Sequence, residues 1–177
     1  MQTLVAMPLT SENKIPALPE IVHHPAQIYD FLYLGSYRNA KDVELLKALG
    51  ITAVVNCANE YKIIGELTCV NEKKERKVEL DIDFLFLDLY DDSRVQLDLD
   101  HKIEQAILFI ERHRHKGGKV LLHCHLGISR AATIALAYVM RQERLDYPQA
   151  LAKLRNLPDK PVVMPNRFAE DFLVMFE

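Results

Sequence analysis

Short apolar runs alternate with segments of helical periodicity along most of the chain. The apolar runs, which predict buried strands, lie at residues 31–34, 51–56, 84–87 and 120–122. The segments with apolar residues every three or four positions, which predict helices, lie at 39–49, 98–115 and 130–140, with two more after Asp146 and around Phe168. Strands that alternate with helices predict an α/β fold, with a central, mostly parallel sheet flanked by helices.

The N-terminal segment differs from this pattern, whereas the C-terminal part follows it. Residues 1–27 contain four prolines and no sustained period, so we interpret them as an extended lead-in, with a docking peptide as the alternative. Residues 28–177 then form one domain. Near its end, Asp146 and Gln149 predict a capping box that begins a helix. In the last helix, we expect the apolar side to consist of Phe168, Phe172 and Met175.

Composition and charge narrow the function classes. The 22 Lys and Arg residues against 25 Asp and Glu give a net charge of −3, so no nucleic-acid binding is expected. Three cysteines are too few for a disulfide framework, which favours the cytoplasm, with nuclear entry left open. No uninterrupted apolar run is long enough for a membrane span, so we expect no membrane anchor.

The stretch from His123 to Arg130, His-Cys-His-Leu-Gly-Ile-Ser-Arg, joins a predicted strand to a predicted helix. A strand, a tight turn and a helix N-terminus form an anion cradle, because backbone N–H groups converge there and the helix dipole adds positive potential. Cys124 is the candidate nucleophile, since these donors stabilise its thiolate. Arg130 can hold two phosphate oxygens, and Gly127 permits a positive φ. This combination predicts phosphoryl transfer through a cysteinyl-phosphate.

The spacing His-Cys-x-x-Gly-x-x-Arg and its surroundings resemble the dual-specificity branch of the cysteine-based protein tyrosine phosphatase superfamily. Residues 31–36, residues 49–56 and Pro165-Asn166 resemble other segments of that branch, so the resemblance covers roughly residues 28–177. It implies a protein-tyrosine-phosphatase-like fold, a catalytic domain of the small, atypical type, and a phosphate-binding turn. The residues of that turn are His125, Leu126, Gly127, Ile128, Ser129 and Arg130.

The leaving oxygen needs a proton, so we expect a carboxylic acid near the cradle on a separate segment. The resemblance implies an aspartate some thirty residues before the cysteine, just after the strand at 84–87. Asp91-Asp92-Ser93 matches the family's acidic pair followed by a small polar residue, which favours Asp92 as the general acid. Asp91 and Asp88 stay open as alternatives.

Three further residues bear on the chemistry. The resemblance implies that His123 supports the reactivity of the cysteine and the shape of the turn, which is compatible with a buried structural histidine. In some relatives a cysteine at the position of Cys57 forms a reversible disulfide with the nucleophile, and a small buried apolar residue is the alternative. Ala131 replaces the family's Ser or Thr, whose hydroxyl helps the thiolate to leave. Thr133 points to another side of the helix, so we expect a slow second step.

The variable side chains of the turn indicate the substrate class. None of them is Lys or Arg, whereas relatives that act on inositol phosphates tend to carry basic residues there. The resemblance therefore implies phosphotyrosine and phosphoserine or phosphothreonine on phosphorylated protein partners, with no cofactor and no metal ion. Two alternatives stay open. One is a phosphatase for phosphoinositide, RNA 5′-phosphate or glucan, and the other is a phosphate-binding module whose turnover is slow because of Ala131.

Overall fold

A computed structural model of the chain describes residues 24–58, 81–91 and 98–176. The strands are β1 (Ala26–Tyr29), β2 (Leu32–Ser36), β3 (Ile51–Asn56), β4 (Asp83–Phe86) and β5 (Lys119–Cys124). The helices are α1 (Tyr37–Lys41), α2 (Val43–Leu49), α3 (Leu99–His115), α4 (Arg130–Glu143), α5 (Tyr147–Arg155) and α6 (Arg167–Val174). The strands form one sheet in the order β1-β2-β5-β3-β4, in which β1 is antiparallel to β2 and the other neighbours are parallel. The predicted α/β fold with a mostly parallel sheet is confirmed.

The central strands are the ones that the sequence pattern identifies best. In β5 every residue from Val120 onward is buried, because helices cover both faces of the sheet. Strand β1 was not predicted. Its four residues alternate between buried and less buried positions, a pattern too short to stand out next to Pro25. It begins at Ala26, two residues before the boundary that we drew at residue 28.

The helices form two layers. Apolar residues of α1 and α2 pack on one face of the sheet, and those of α3, α4, α5 and α6 pack on the other in the larger core. Helix α4 is buried at every position from Arg130 to Met140, as predicted. The helix predicted over 39–49 is two helices, because Asp42 adopts an extended backbone and its side chain accepts a hydrogen bond from Leu45 N at 2.9 Å. None of the described helices has the length and apolar run that a membrane span requires.

Two details near the C-terminus test the sequence analysis. The capping box of α5 is present: Gln149 N donates to Asp146 Oδ1 at 2.9 Å, and Asp146 N donates to Gln149 Oε1 at 3.2 Å. The predicted apolar side of the last helix is wrong at Met175, which is 76% exposed. The helix ends at Val174, so Met175 leaves its register, and Ala169 and Leu173 are the buried residues instead.

Parallel pairing brings the carboxyl ends of β2, β3 and β5 to one edge of the sheet. Ser36 pairs with Cys124, and Asn56 pairs with His123. In open α/β sheets, ligands bind in the crevice outside these carboxyl ends. The His123–Arg130 stretch lies at that edge.

Candidate active site

The turn after β5 is folded around the sulfur of Cys124. This side chain is buried, and its Sγ accepts a hydrogen bond from Gly127 N at 3.2 Å. Residues 125–129 form the turn, and α4 begins at Arg130, whose exposed fraction is only 4%. The nucleophile and the cation predicted from sequence are thus the two ends of one short segment.

Three carbonyl groups of the turn are engaged, two by other segments of the chain and one by the first turn of α4. The oxygens of His125, Ile128 and Ser129 accept hydrogen bonds from the backbone N–H groups of Tyr37, Met164 and Thr133, at 3.2, 2.9 and 2.8 Å respectively. The peptide bonds are trans, so the N–H that follows each carbonyl points the opposite way. The N–H groups of Leu126, Ser129 and Arg130 therefore point away from these partners. The hydrogen bonds of the carbonyl groups thus fix the directions of these amides.

Helix α4 adds its N-terminus to this set. Its N-cap residue is Ser129, and the Ser129 side chain makes no capping hydrogen bond. The first N–H groups of a helix have no partner within the helix, and an anion can take the place of a cap. The 14-residue helix also directs the positive end of its dipole toward the turn.

Gly127 lets the turn approach β2 at Gly35. Gly127 has φ of 79°, a left-handed conformation that side chains with a Cβ rarely adopt. A Cβ on Gly127 would lie 2.6 Å from the carbonyl oxygen of Gly35. The predicted positive φ is confirmed, and close contact with β2 is a second reason for glycine.

Arg130 forms an ion pair with Asp91, in the segment that follows β4. Its Nη2 donates to Asp91 Oδ2 at 3.2 Å, and the Asp91 side chain is 52% exposed. A carboxylate oxygen contacts a guanidinium with the same geometry as a phosphate oxygen, so the two compete for the same N–H donors. Asp92, the favoured general acid, lies outside the described residues. Asp88 is three residues before Asp91, and its carbonyl accepts a hydrogen bond from Lys102 Nζ.

His123 is fully buried beneath the turn. Its Nδ1 lies 3.3 Å from the carbonyl oxygen of Cys124, which can only accept, so Nδ1 carries the proton. Burial disfavours the imidazolium and lowers the pKa of His123 to about 4. At neutral pH, His123 is therefore an uncharged support for the backbone of Cys124.

Cys57 lies directly beyond β3 and is fully buried. Its N–H donates to the carbonyl oxygen of His123 at 2.8 Å. Burial is the main cause that raises the pKa of the Cys57 thiol well above its ordinary value, and the proximity of Cys124 adds to it. Cys57 and Cys124 are both free cysteines in the structure, and Cys57 is protonated at neutral pH.

Position 131, directly after Arg130 at the start of α4, is an alanine and has no hydroxyl. Ala131 is fully buried. The Thr133 hydroxyl donates to the carbonyl oxygen of Ser129 at 3.0 Å, one turn back along the helix. Its proton is therefore already engaged away from the Cys124 sulfur.

Asn166 makes two hydrogen bonds that were not predicted from the sequence. Its Oδ1 accepts a hydrogen bond from Ala169 N at 2.9 Å and caps α6, while its Nδ2 donates to the carbonyl oxygen of Tyr90 at 3.3 Å. An Asn before a helical segment predicts the cap. The contact with Tyr90 joins residues 76 positions apart, and no local pattern indicates it.

The described residues contain no group of three or more His, Cys, Asp or Glu placed to hold a metal ion. The groups that the described site does offer are a thiol, a guanidinium and backbone amides. This fold and this turn define a class of protein: α/β domains in which a turn with a cysteine at one end and an arginine at the other joins a central strand to a buried helix.

Comparison with known proteins identifies the family within that class. The sequence profile described as "Dual specificity phosphatase, catalytic domain" matches residues 32–176, and the chain belongs to this family.

The matched relatives are longer than this chain. Dual specificity protein phosphatase 2 of Mus musculus is 32% identical over 146 residues, which is 80% of this chain and 39% of that protein. Dual specificity protein phosphatase 1 of Homo sapiens is 33% identical over 157 residues, or 86% of this chain and 37% of that protein. The chain thus spans under two fifths of these two relatives. The crystal structure of DUSP15 matches with a TM-score of 0.69 and 28% identity, covering 87% of each chain.

The contact between the turn and β2 leads to a first prediction. Gly127→Ala should destabilise the domain by about 1–3 kcal/mol, because it adds a Cβ at positive φ and against the Gly35 carbonyl. A displacement of the donors by about 1 Å should also lower kcat/KM for p-nitrophenyl phosphate roughly 100-fold. Urea denaturation and steady-state kinetics measure both quantities.

Gly117→Ala is the matched control. Gly117 has φ of 74°, but a Cβ there meets nothing within 4 Å. We expect a cost of roughly 1–2 kcal/mol from backbone conformation alone, and unchanged activity. Equal stability losses with unchanged activity in both variants would contradict the role assigned to the close approach.

The burial of His123 leads to a second prediction, on stability against pH. The unfolded chain binds a proton on this histidine below its ordinary pKa of 6.5, whereas the folded protein does so only near pH 4. Stability should therefore fall as pH drops from 6.5 toward 4, by about 3 kcal/mol from this residue. His123→Asn should remove that part of the pH dependence, which urea denaturation at pH 7.5, 6 and 5 measures.

The same substitution at His101, an exposed position on α3, serves as the control and should keep the wild-type pH dependence. Parallel stability curves for wild type and His123→Asn would show that His123 does not contribute.

Proposed function

We propose that residues 28–177 form a protein phosphatase domain that hydrolyses phosphotyrosine and phosphoserine or phosphothreonine through a cysteinyl-phosphate. The observation that supports this most directly is the hydrogen bond from Gly127 N to Cys124 Sγ within a turn closed by Arg130. It sets a nucleophile among backbone donors, as phosphoryl transfer requires. Membership of the family supports the same activity.

In the first proposed step, the Cys124 thiolate attacks phosphorus. The S–P bond forms, the bond between phosphorus and the leaving oxygen breaks, and the general acid donates its proton to that oxygen. In the second step water attacks phosphorus and gives a proton to the same carboxylate. The S–P bond breaks, the thiolate leaves, and inorganic phosphate is released.

Arg130 and the amides would carry the charge of the transferring group. The guanidinium can bind two of the phosphate oxygens in the plane where Asp91 now contacts Nη2. In both steps, the remaining negative charge faces the N–H groups of the turn and the N-terminus of α4. These groups are fixed before substrate arrives, so little reorganisation accompanies the reaction.

We propose phosphorylated proteins as the substrates. The exposed side chains of the turn are His125 and Leu126, the latter 64% exposed. A partly apolar rim without Lys or Arg suits a phosphorylated side chain on a polypeptide better than a ligand with several phosphates. We place the protein in the cytoplasm, where its free cysteines stay reduced.

A phosphate-binding module with slow turnover is the second candidate. Ala131 lacks the hydroxyl that would stabilise the departing thiolate, and the Thr133 hydroxyl donates to Ser129. Formation of the cysteinyl-phosphate uses the Cys124 thiolate and the Arg130 guanidinium, and both groups are present. Its hydrolysis lacks the hydroxyl donor that would stabilise the departing thiolate. The two candidates therefore differ in the rate of the second step.

Rapid-quench kinetics with p-nitrophenyl phosphate tests both candidates. Wild type should release p-nitrophenol in a burst of nearly one per active site, followed by a slower steady state. A hydrogen bond to a charged group contributes roughly 1.5–3 kcal/mol, or about 10- to 150-fold in rate. Ala131→Ser should therefore raise kcat by a factor in this range and leave kcat/KM nearly unchanged.

Ala132→Ser is the matched control, since Ala132 is equally buried on the same helix, and it should not raise kcat. Cys124→Ser should abolish both burst and turnover but still bind phosphopeptide, because the donors are backbone groups. Activity in Cys124→Ser would refute the proposed mechanism. A burst without steady-state turnover would favour the binding module, and no burst with no gain from Ala131→Ser would refute the slow second step.

The acidic pair leads to a further prediction. Asp92→Asn should lower kcat/KM for a phosphotyrosine peptide by about 10²- to 10⁴-fold, because the tyrosine leaving group needs a proton. The loss should be much smaller on p-nitrophenyl phosphate, whose phenolate leaves unaided. Asp91→Asn should change both substrates by the same factor, since Asp91 contacts Arg130.

Asp100→Asn, an exposed position in the first turn of α3, is the control and should leave both values unchanged. Selective loss in Asp91→Asn instead would assign the acid to Asp91. Equal losses on both substrates in both variants would exclude the pair as the acid and direct attention to Asp88.

A further inference from the structure

A segment between α5 and α6 runs directly beside the turn that follows β5. We call residues 161–165 the proline segment, because it begins and ends with a proline. Met164 N donates to the carbonyl oxygen of Ile128, in the turn, at 2.9 Å. Pro161 has a fixed φ, and Pro165 favours an extended conformation of Met164 before it. The proline segment is thus a restricted, extended neighbour of the turn.

Burial alternates along the proline segment. Val163 is buried in the larger core, and its carbonyl oxygen accepts two hydrogen bonds from Arg155, at 2.8 and 3.1 Å. Its two neighbours are open to solvent: Val162 is 57% exposed and Met164 is 60% exposed. Successive side chains of an extended chain point to opposite faces, so the burial of Val163 turns these two outward.

The turn adds a third exposed apolar side chain. Leu126 lies two residues before Ile128, whose carbonyl binds the proline segment. We call Leu126, Val162 and Met164 the apolar patch. Single exposed apolar residues are common on protein surfaces, whereas several on joined segments beside a site indicate an interaction surface.

A phosphorylated side chain that reaches Cys124 brings its own polypeptide to this surface. Consecutive Cα atoms are about 3.8 Å apart, so the two residues on each side stay within roughly 4–7 Å of the phosphorylated one. The proposed phosphate contacts are backbone N–H groups and one guanidinium, which are the same for every phosphorylated residue. Discrimination between protein substrates therefore has to come from the residues beside the phosphorylated one.

We propose that Leu126, Val162 and Met164 form a subsite that selects phosphoproteins with an apolar side chain next to the phosphorylated residue. The proposal rests on the phosphatase function proposed above and narrows its substrate class. Burial of apolar surface drives the contact. The prolines and the hydrogen bonds of the proline segment hold two of the three side chains in place before binding, so the loss of conformational entropy is small.

Phosphotyrosine peptides of one background sequence test the subsite. Leucine, serine or glutamate is placed in turn at each of the two positions before and after the phosphotyrosine, and kcat/KM is measured for each peptide. At one position or more, leucine should raise kcat/KM about 3- to 10-fold over serine, as expected when an apolar side chain is half buried on binding. Glutamate tests the exposed Lys160, which precedes the proline segment, and should give no gain over serine.

Val162→Ser and Met164→Ser should each lower the ratio of kcat/KM between the leucine and serine peptides, and the double variant should bring it close to one. This ratio is the readout, because a general change in activity cancels in it. Both substitutions keep the backbone hydrogen bonds of the proline segment. Leu108→Ser, an exposed apolar position on α3, is the matched control and should keep the wild-type ratio.

Binding measurements distinguish failure of the subsite from failure of the proposed function. Cys124→Ser cannot form the cysteinyl-phosphate, so its Kd values should show the preference for leucine without any turnover. Equal turnover by wild type and Cys124→Ser, with this preference preserved in Kd, would reject the phosphatase function alone.

Three results would overturn the subsite. The first is the absence of a leucine preference in both kcat/KM and Kd, or a gain from glutamate that equals it. The second is a wild-type ratio in the double serine variant. The third is a dimer, detected by light scattering, that the same variant dissociates, since this would assign the apolar patch to a second copy of the chain.

Discussion

The outward orientation of the carbonyl groups in the turn after β5 is the constraint on which the site depends. A trans peptide cannot direct its C=O and its N–H to the same side. Each carbonyl that accepts a bond from a neighbouring segment therefore turns the next N–H the other way. Tyr37 N and Met164 N, from segments far apart in sequence, bind two of these carbonyls. In the proposed anion site, the directions of these amides are thus set by groups on the other side of the turn.

The interior of the site carries little fixed negative charge. Burial keeps His123 neutral and Cys57 protonated, so neither competes with a phosphate for the donors. The carboxylate on Arg130 belongs to Asp91, which is half exposed and can turn toward solvent. The amides keep their positive partial charge, whereas the Asp91 carboxylate can leave Arg130. The site therefore favours the exchange of this carboxylate for another anion.

The sequence predicted the parts of this structure that are local in the chain. Strands β3 and β5 are continuous apolar runs, and the turn from Cys124 to Arg130 is one contiguous motif, so pattern and spacing were sufficient. Strand β1 was missed because four residues beside a proline carry too little periodicity. The links from Asn166 to Tyr90 and from Asp91 to Arg130 join positions 76 and 39 residues apart, and the folded sheet alone brings them together.

The contact between Gly127 and Gly35 limits which substitutions this fold tolerates. A Cβ on Gly127 meets the Gly35 backbone, and a Cβ on Gly35 would lie 2.8 Å from Asn39 Oδ1 and 3.1 Å from Leu121 Cδ1. Many core positions exchange volume by a large-to-small change at one site that makes room for the reverse change at its neighbour. The atoms that face Gly35 belong to side chains, which a smaller residue can replace, whereas the atoms that face Gly127 belong to the backbone of Gly35 and no substitution removes them. Compensation is therefore open at Gly35 and closed at Gly127, and a lineage that retains this turn has to retain Gly127.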